Sequence, residues 1–340
     1  MRIAIDAMGG DNAPEAIMEG AISAILEYDV ELICVGNEAV LSPLLKKMGG
    51  ERPNLRIVHA PEKVEMDESP SHAIRKKKNS SIWVATHLIK EGKAEAVISA
   101  GNTGAAMATA LFILGPLKGV DRPAIATVLP TLQGSALLLD VGANVDCKPN
   151  NLLQFAIMGE EFARRVQGKV NPRVGLLSIG EEAIKGNELT KETFRLLRER
   201  DLNFIGNVEG RDVYNGNADV IVCDGFIGNV VLKVSEGLAD TIGNFLKREI
   251  EGSSLGVLGY LLLKPALNRF KKKVDYAEYG GAHLLGVNGV SIICHGRSSG
   301  KAIKNAIKMA KQALEQRVNE AIQRDIERQM NPEEKEREKK

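Results

Sequence analysis

Cysteine, aromatic residues and net charge are all scarce in this sequence, and each shortage excludes a class of protein. Aromatic residues make up 4% of the 340 residues, and the formal net charge is +1. Nucleic-acid binding is therefore not expected, because the chain has neither a global positive field nor enough rings for bases to stack on. The wide spacing of the cysteines favours reduced thiols in the cytoplasm over a disulfide framework or a zinc knuckle. The four cysteines are Cys34, Cys147, Cys223 and Cys294.

Long apolar runs and the common cofactor motifs are missing as well. No run is long enough to span a membrane, and the N-terminus enters an apolar strand without the features of a signal peptide. Gly9 and Gly10 lack the further spaced glycine of a dinucleotide fingerprint, and no Walker A sequence or serine elbow occurs. The five histidines show no metal-ligand spacing. The sequence predicts neither a cofactor nor a metal.

What the sequence does contain is an alternation of short Val/Ile/Leu-rich runs with amphipathic stretches of helical length. This alternation predicts a layered α/β fold with a mostly parallel sheet. We expect one compact unit over residues 1–330, a long last helix from about Gly300, and a frayed charged tail over 331–340. The predicted strands are Ile3 to Asp6, Leu32 to Val35, Leu55 to Val58, Ala96 to Ala100, Ala124 to Leu129, Ala136 to Val141, Val174 to Ile179, Val220 to Cys223 and Val290 to Cys294.

Clusters of glycine and polar residues follow many of these strands. Ligands of α/β proteins gather at the carboxyl ends of strands. One cluster alone is most simply a tight turn with a helix cap, but six on one edge of the sheet indicate a site. Glycine at a helix start also leaves backbone N–H groups open to an anion such as phosphate. The clusters are residues 8–14, 99–104, 140–144, 180–188, 224–229 and 295–298.

Two side chains in these clusters have alternative roles. Lys185, after a buried strand and before a helix, can place its charge on a phosphate or a developing oxyanion, or it can be a solvated loop lysine. Asn229 can donate a hydrogen bond to substrate or cap a helix. A cysteine nucleophile is less favoured, because no cysteine has a neighbouring histidine base and apolar surroundings raise the pKa of a thiol.

Six segments occur together in an order typical of one family. They are residues 6–11, 99–105, 140–144, 185–188, 224–229 and 279–282. Over nearly its whole length the chain resembles the bacterial phosphate acyltransferases of phospholipid synthesis, which move a fatty acyl group from acyl carrier protein to inorganic phosphate. The resemblance implies a homodimer and a Rossmann-like three-layer α/β/α sandwich with a mixed, mostly parallel sheet, similar to phosphate acetyltransferases and isocitrate dehydrogenase-like enzymes.

The resemblance also implies roles for particular residues. Lys185 and Asn229 match the catalytic positions of the family. We expect direct attack by phosphate in a ternary complex, since phosphate dianion is already a nucleophile and the protein need only position it and stabilise the oxyanion. The acyl phosphate would pass to a membrane glycerol-3-phosphate acyltransferase for phosphatidic acid synthesis. The expected substrate- or phosphate-binding residues are Gly9, Gly10, Asp11, Gly101, Asn102, Thr103, Gly104, Asn144, Asn187, Gly228, His295 and Ser298.

Two further segments are candidate surfaces for partners. The apolar stretch 255–263 is followed by basic residues and fits a helical insertion, at about 253–273, that lies in the interface of an anionic membrane. A helical hairpin buried in the dimer or the core is the open alternative. The basic run 75–78 is either a solvated face or a patch that steers the acidic carrier protein. The resemblance favours a cytoplasmic protein bound peripherally to the membrane through Leu258, Leu261, Leu262 and Leu263.

Two other functions remain open from the sequence. A coenzyme A-dependent phosphate acetyl- or butyryltransferase would share the fold and the phosphate turns, and the apolar stretch 255–263 favours a long-chain product over its short-chain one. A non-catalytic scaffold that brings carrier protein to the membrane would need only the basic run and the apolar stretch. It would leave the six polar clusters unexplained.

Overall fold

The computed structural model describes residues 1–50, 52–252, 254–274 and 278–330. Its strands are β1 (Arg2–Asp6), β2 (Glu31–Gly36), β3 (Leu55–His59), β4 (Ala96–Ser99), β5 (Ala124–Thr131), β6 (Gly134–Leu139), β7 (Val174–Leu177), β8 (Phe204–Val208), β9 (Val220–Val222), β10 (Ala282–Leu285) and β11 (Val290–Ile293). Its α-helices are α1 (Glu15–Glu27), α2 (Glu38–Lys47), α3 (Pro70–Lys76), α4 (Ser81–Lys90), α5 (Thr103–Leu114), α6 (Pro149–Arg165), α7 (Glu188–Arg198), α8 (Gly225–Glu251), α9 (Ser254–Val274), α10 (Gly300–Glu315) and α11 (Val318–Met330).

These strands form one mixed sheet in the order β3-β2-β1-β4-β11-β10-β5-β6-β9-β7-β8. From β3 to β11 the neighbours are parallel. β10 is antiparallel to both β11 and β5, and β5 is antiparallel to β6. β6, β9, β7 and β8 are again parallel to one another. The sheet therefore has two parallel halves that run in opposite directions.

Helices cover both faces of the sheet, because successive residues of a strand point to opposite faces. In β1, Ile3 and Ile5 join one apolar core with residues of α1, α6, α10 and α11. Ala4, between them, joins the other core with residues of α4 and α5. A Cβ on Gly20 would lie 2.6 Å from Ile303 Cβ, so the close packing of α1 on α10 needs glycine there. The predicted three-layer α/β/α sandwich with a mixed sheet is confirmed.

The structure differs from the sequence prediction in a few elements. All nine predicted strands are present, but β8 and β10 were not predicted, because Gly206 and His283 interrupt their apolar patterns. The prediction of a single long last helix is wrong. The chain turns at Arg317, which has φ of +49°, and α11 then folds back against α6 with Val318 and Ile322 buried. The predicted tail lies outside the described residues.

Helices α8 and α9 stand apart from the layers. α8 has 27 residues and is about 40 Å long, and most of its residues beyond Gly228 are exposed. α9 covers most of the region predicted as an insertion, where Leu261, Leu262 and Leu263 are exposed; the side chain of Leu258 lies outside the described residues. Within the described ranges no helix is long and apolar enough to cross a membrane.

Candidate active site

The two directions of the sheet divide the six polar clusters between opposite edges. The carboxyl ends of β1, β4 and β11 meet at one edge, here termed the glycine edge, which carries residues 8–14, 99–104 and 295–298. The carboxyl ends of β6, β9 and β7 meet at the other, here termed the lysine edge, which carries residues 140–144, 224–229 and 180–188. The expectation that all six clusters lie on one edge of the sheet is therefore wrong.

The hairpin between β5 and β6 causes this division. Thr131 pairs with Gly134, so Leu132 and Gln133 alone form the turn. A turn this short joins antiparallel strands, and Gly134 has φ of +134°, which favours glycine. β9 and β7 follow the direction of β6 through parallel pairing. Their loops therefore open at the edge opposite to that of β1 and β4.

At the glycine edge a buried aspartate holds two loops together. Asp6, the last residue of β1, accepts hydrogen bonds from Ser99 Oγ at 2.7 Å and from the Met8 N–H at 3.3 Å. Ser99 Oγ in turn accepts from the Gly101 N–H at 3.0 Å. A Cβ on Gly9 would overlap Asp6 Oδ2 and lie 2.9 Å from Gly101. Burial raises the pKa of Asp6, and the two loops form one closely packed platform.

Donors for an anion are concentrated where α5 begins. Thr103 and Gly104 are the first two residues of α5, and N–H groups at these positions have no acceptor within a helix. The Asn102 side chain is already engaged, because its Oδ1 accepts from the Ala105 N–H at 2.9 Å and its Nδ2 donates to the Glu68 carbonyl at 2.8 Å. Asn102 therefore stabilises the loop, and the backbone N–H groups that follow it are the groups able to bind a ligand.

The end of β11 adds a hydroxyl to the glycine edge. Ser298 is 2% exposed, and its Oγ has no hydrogen-bond partner in the described part of the chain. The loop of residues 295–298 is tied to the loop of residues 8–14 by the Asp11 N–H, which donates to the Gly296 carbonyl at 2.8 Å. Gly10 has φ of +110°, and His295 is exposed at the rim. The predicted binding residues of these three loops do lie together.

At the lysine edge a second buried aspartate holds the turn after β6. The Asp140 carboxylate accepts from the N–H groups of Ala143 at 3.0 Å and Asn144 at 2.7 Å, and from Asn144 Nδ2 at 2.9 Å. It also accepts from the Ile125 N–H in β5 at 3.0 Å. Burial raises the pKa of Asp140, and these donors oppose the rise. The turn therefore gives its donors to Asp140, which leaves Asn144 with a structural role.

The start of α8 packs against this turn through glycine. A Cβ on Gly225 would lie 2.8 Å from Asp140 Oδ2, and one on Gly228 would overlap the Asp140 carbonyl oxygen. A Cβ on Gly142 would lie 3.7 Å from Asn229 Cβ and Cγ. Asn229 is exposed, and its side chain makes no hydrogen bond within the described ranges. Asn229 therefore directly follows closely packed glycines, and its amide has no hydrogen-bond partner among the described residues.

Lys185 follows β7, the neighbour of β9 in the sheet. Its side chain is exposed and forms no ion pair with any described residue. Asn187 is committed, since its Oδ1 caps α7 by accepting from the Thr190 N–H at 2.9 Å. Ser178, which the sequence analysis missed, has a buried Oγ without a hydrogen-bond partner among the described residues, and a Cβ on Gly186 would lie 2.8 Å from it. No sequence pattern marked Ser178, because a serine at the end of a strand is common.

The four cysteines are poorly suited to nucleophilic catalysis. Burial raises the pKa of Cys34 and of Cys294 to about 12, and that of Cys147 to about 11. Burial also raises the pKa of Cys223 well above its ordinary value. The reactive form of a cysteine is the thiolate, and these thiols stay protonated near neutral pH. The geometry therefore favours a reaction without an acyl-cysteine.

Solved structures of known proteins share this fold. The chain matches a phosphotransacetylase from Streptococcus pyogenes with a TM-score of 0.65 and 19% identity, covering 93% of this chain and 94% of that one. It matches the EutD phosphotransacetylase from Staphylococcus aureus with a TM-score of 0.59 and 17% identity, covering 92% and 94%. At these identities the likeness is one of fold, and the fold is that of the phosphotransacetylases.

Sequence comparison identifies the family. The family described as fatty acid synthesis protein matches residues 1–321. The phosphate acyltransferase of Heliobacterium modesticaldum is 59% identical over 306 residues, covering 90% of this chain and 91% of that one. The phosphate acyltransferase of Citrifermentans bemidjiense is 57% identical over 305 residues, covering 90% and 87%. The chain belongs to this family of phosphate acyltransferases and is a transferase, as the order of its motifs predicted.

Proposed function

We propose that this enzyme transfers a long-chain fatty acyl group from acyl carrier protein to inorganic phosphate, which yields an acyl phosphate for phosphatidic acid synthesis. The observation that carries the proposal is the pair Lys185 and Asn229. Both side chains are exposed, both are uncommitted within the described residues, and they follow adjacent strands. A cation and a neutral amide donor can stabilise the oxyanion that forms when phosphate attacks a thioester.

The reaction proceeds by direct displacement. A phosphate oxygen forms a bond to the thioester carbonyl carbon, and the carbonyl oxygen takes up the negative charge. Lys185 and Asn229 stabilise that charge. The carbon–sulfur bond then breaks, and the pantetheine thiolate leaves and takes a proton from solvent. The high pKa values of the cysteine thiols support this route over a covalent intermediate.

The acyl donor is a carrier protein that docks beside the glycine edge. Arg75, Lys76 and Lys78 are exposed, whereas Lys77 is held by Glu68 at 2.7 Å. Asn102, which precedes α5, donates through Nδ2 to the Glu68 carbonyl. The exposed cations therefore lie close to the start of α5. Such a basic patch attracts an acidic partner over a distance of about one Debye length, roughly 8 to 10 Å at ordinary salt concentrations.

A short-chain acyltransferase that uses coenzyme A is the second candidate. The phosphotransacetylase fold favours it, because a shared fold can support either donor. Because the chain belongs to a family of transferases, a non-catalytic scaffold is no longer a candidate function. Against a short-chain product stands the exposed apolar surface of α9, at Leu261, Leu262 and Leu263, which suits an enzyme whose product is a lipid.

The enzyme works as a homodimer in the cytoplasm and binds peripherally to anionic membranes. Leu255 and Leu262, one heptad apart on α9, are exposed, as are Lys264 and Arg269 that follow them. An apolar face next to cations suits the interface of an anionic bilayer. Membrane contact would allow the enzyme to pass acyl phosphate to a membrane glycerol-3-phosphate acyltransferase.

The experiment that tests the proposal measures phosphate-dependent release of free thiol from palmitoyl-acyl carrier protein, with the acyl phosphate trapped by hydroxylamine. Acetyl-coenzyme A is run beside it as the competing donor. We expect turnover with the carrier-protein substrate and little with acetyl-coenzyme A. Turnover with acetyl-coenzyme A alone would overturn the proposal and assign the short-chain reaction.

A further inference from the structure

We infer that Asn207, a residue of β8 outside the six polar clusters, is a positioning residue for Lys185. The inference rests on the proposed function, in which the Lys185 ammonium stabilises the oxyanion. Because Lys185 is exposed and forms no ion pair with any described residue, its position depends on contacts made by its backbone and by the base of its side chain. The structure contains one such contact that involves Asn207 and another at Gly180.

Asn207 holds the turn that ends at Lys185. The Glu182 carbonyl accepts a hydrogen bond from the Lys185 N–H at 2.9 Å, and this bond closes a four-residue turn. The same carbonyl accepts a hydrogen bond from Asn207 Nδ2 at 2.9 Å. The side chain of a strand residue therefore fixes the turn, and with it the backbone of Lys185, to the end of the sheet.

The Asn207 side chain is buried and is used for this turn. Asn207 is 6% exposed, and its Oδ1 has no hydrogen-bond partner in the described part of the chain. A buried acceptor without a partner disfavours folding, so the stability of the fold does not explain an amide at this position. Arg211 also contacts the loop, through Glu181 at 3.3 Å, but both side chains are exposed and such pairs contribute little.

A bulge in β8 sets the face of the sheet on which Asn207 lies. The pairing of β7 with β8 skips Ile205, since Phe204 and Gly206 pair with successive residues of β7. Gly206 has φ of +101°, which favours glycine. Because successive residues of a strand point to opposite faces, one extra residue changes the face of every side chain that follows. Bulges commonly direct a side chain in this way beside an active site.

Gly180 constrains the side chain of Lys185 directly. A Cβ on Gly180 would lie 2.8 Å from Lys185 Cγ and 3.3 Å from Lys185 Cβ. These atoms belong to the base of the side chain, so a methyl group at position 180 would displace the carbons that lead to the ammonium. Asn207 thus acts on the backbone of Lys185, and Gly180 acts on its side chain.

A double-mutant cycle in the thiol-release assay tests the inference. Asn207→Leu removes the amide and keeps a side chain of similar size. We expect it to lower kcat by about 10-fold with little change in KM, since it displaces a group that acts in the transition state. Beside Lys185→Ala the same change should alter the rate by about two-fold or less, because no ammonium is left to displace.

Denaturant unfolding separates this role from a purely structural one. Asn207→Leu also removes the unpartnered buried acceptor, so it should unfold at the same or a higher denaturant concentration than the wild type. Asn207→Ala, which is smaller and also lacks the donor, is taken through the same cycle. Asn203→Leu is the matched control, because Asn203 precedes β8 at its other end and donates through Nδ2 to the Asn171 carbonyl at 3.1 Å. It should keep the wild-type kcat.

Gly180→Ala tests the position of Lys185 without changing Asn207. We expect kcat to fall by about 10-fold in the otherwise unaltered enzyme. Little further loss should occur beside Lys185→Ala, which has no Cγ for the new methyl group to displace.

The outcomes distinguish the inference from the proposed function. Unchanged kcat in both Asn207 variants would overturn the inference, and so would equal fold losses in the presence and absence of Lys185, because the amide would then act through another group. A wild-type rate for Lys185→Ala would instead overturn the role of Lys185 in the proposed function, and the inference with it.

Discussion

Lys185 and Asn229 differ from the other predicted polar residues in what constrains them. The amides of Asn102 and Asn187 satisfy backbone groups of their own loops, and the amide of Asn144 donates to the Pro123 carbonyl and to Asp140. Each is needed to form a loop, and none has its full hydrogen-bonding capacity left for a substrate. Asn229 instead directly follows closely packed glycines of α8, and its side chain makes no hydrogen bond within the described residues. A side-chain donor without an intramolecular partner can donate a hydrogen bond to the oxyanion that forms during the reaction.

Replacing Lys185 should therefore reduce catalysis and leave the fold intact. We expect Lys185→Ala to lower kcat by about 100-fold or more, since it removes the only cation proposed to contact the oxyanion. Thermal unfolding should not change, because the side chain is exposed. Lys191→Ala on α7, also exposed, is the matched control and should keep full activity. Equal rates for the two variants would rule out the role of Lys185.

Asp140 should act on catalysis through Asn229. Asp140→Asn replaces an acceptor of several N–H groups by an amide that has its own N–H donors, which costs about 1 to 3 kcal/mol in the free energy of unfolding. We expect the shifted turn to move Asn229 and to lower kcat more than it raises KM. Asp146→Asn, an exposed change nearby, is the control. A variant with lower stability but unchanged kcat would limit Asp140 to a structural role.

At the scale of elements, the sequence indicates strands far better than their directions. The apolar runs of β1 to β7 are long enough to recognise, whereas β10 is concealed by His283. Strand direction is set by connections. The hairpin of β5 and β6 was visible in principle, since two apolar runs lie close together around a glycine turn. Recognising that reversal would have divided the six clusters correctly.

The candidate site was partly predictable for a related reason. Some glycines are required by the local backbone geometry of a turn or a helix start, so residues such as Gly10 and Gly228 can be recognised in the sequence. The commitment of Asn144 to Asp140 depends on contacts with β5, and the isolation of Ser178 Oγ depends on the fold around it. Neither can be recognised from local residue patterns, because both are properties of packing.

The contact between α6 and α11 should depend on pH. Burial raises the pKa of Glu160 to about 7 despite the nearby Arg164, with Glu161 and Asp325 also opposing ionisation. The folded protein thus binds a proton that the unfolded chain releases near its ordinary pKa of 4.5. This stabilisation is present at low pH and is lost as the pH rises through about 7.

Replacing this carboxyl by an amide should remove that dependence. We expect Glu160→Gln to have little effect at pH 5 and to raise the free energy of unfolding by about 1 to 3 kcal/mol at pH 8. Denaturant unfolding at the two pH values measures it. Glu320→Gln on α11, which is exposed, is the control. A variant that is less stable than wild type at pH 8 would contradict the expected sign.

At the scale of the whole molecule, apolar surface is concentrated on α8 and α9. The exposed apolar residues of α8, from Ile227 to Phe245, begin at the lysine edge, while Leu255 and Leu262 lie on α9 at 81% and 77% exposure. The two surfaces differ in charge, since cations follow the leucines of α9 and paired charges flank the apolar residues of α8. A change in one should therefore leave the function of the other intact.

Changing the leucines of α9 should separate membrane binding from catalysis. Leu255→Glu with Leu262→Glu places two carboxylates on one helix face, where they would have to enter an anionic interface. We expect loss of co-sedimentation with vesicles containing anionic lipid, together with an unchanged rate of thiol release in solution and unchanged dimer mass. Leu26→Glu, at another exposed leucine, should sediment like the wild type. Sedimentation unaffected by the double change would mean that the leucines of α9 face protein, and a loss of dimer mass would assign α9 to the subunit interface.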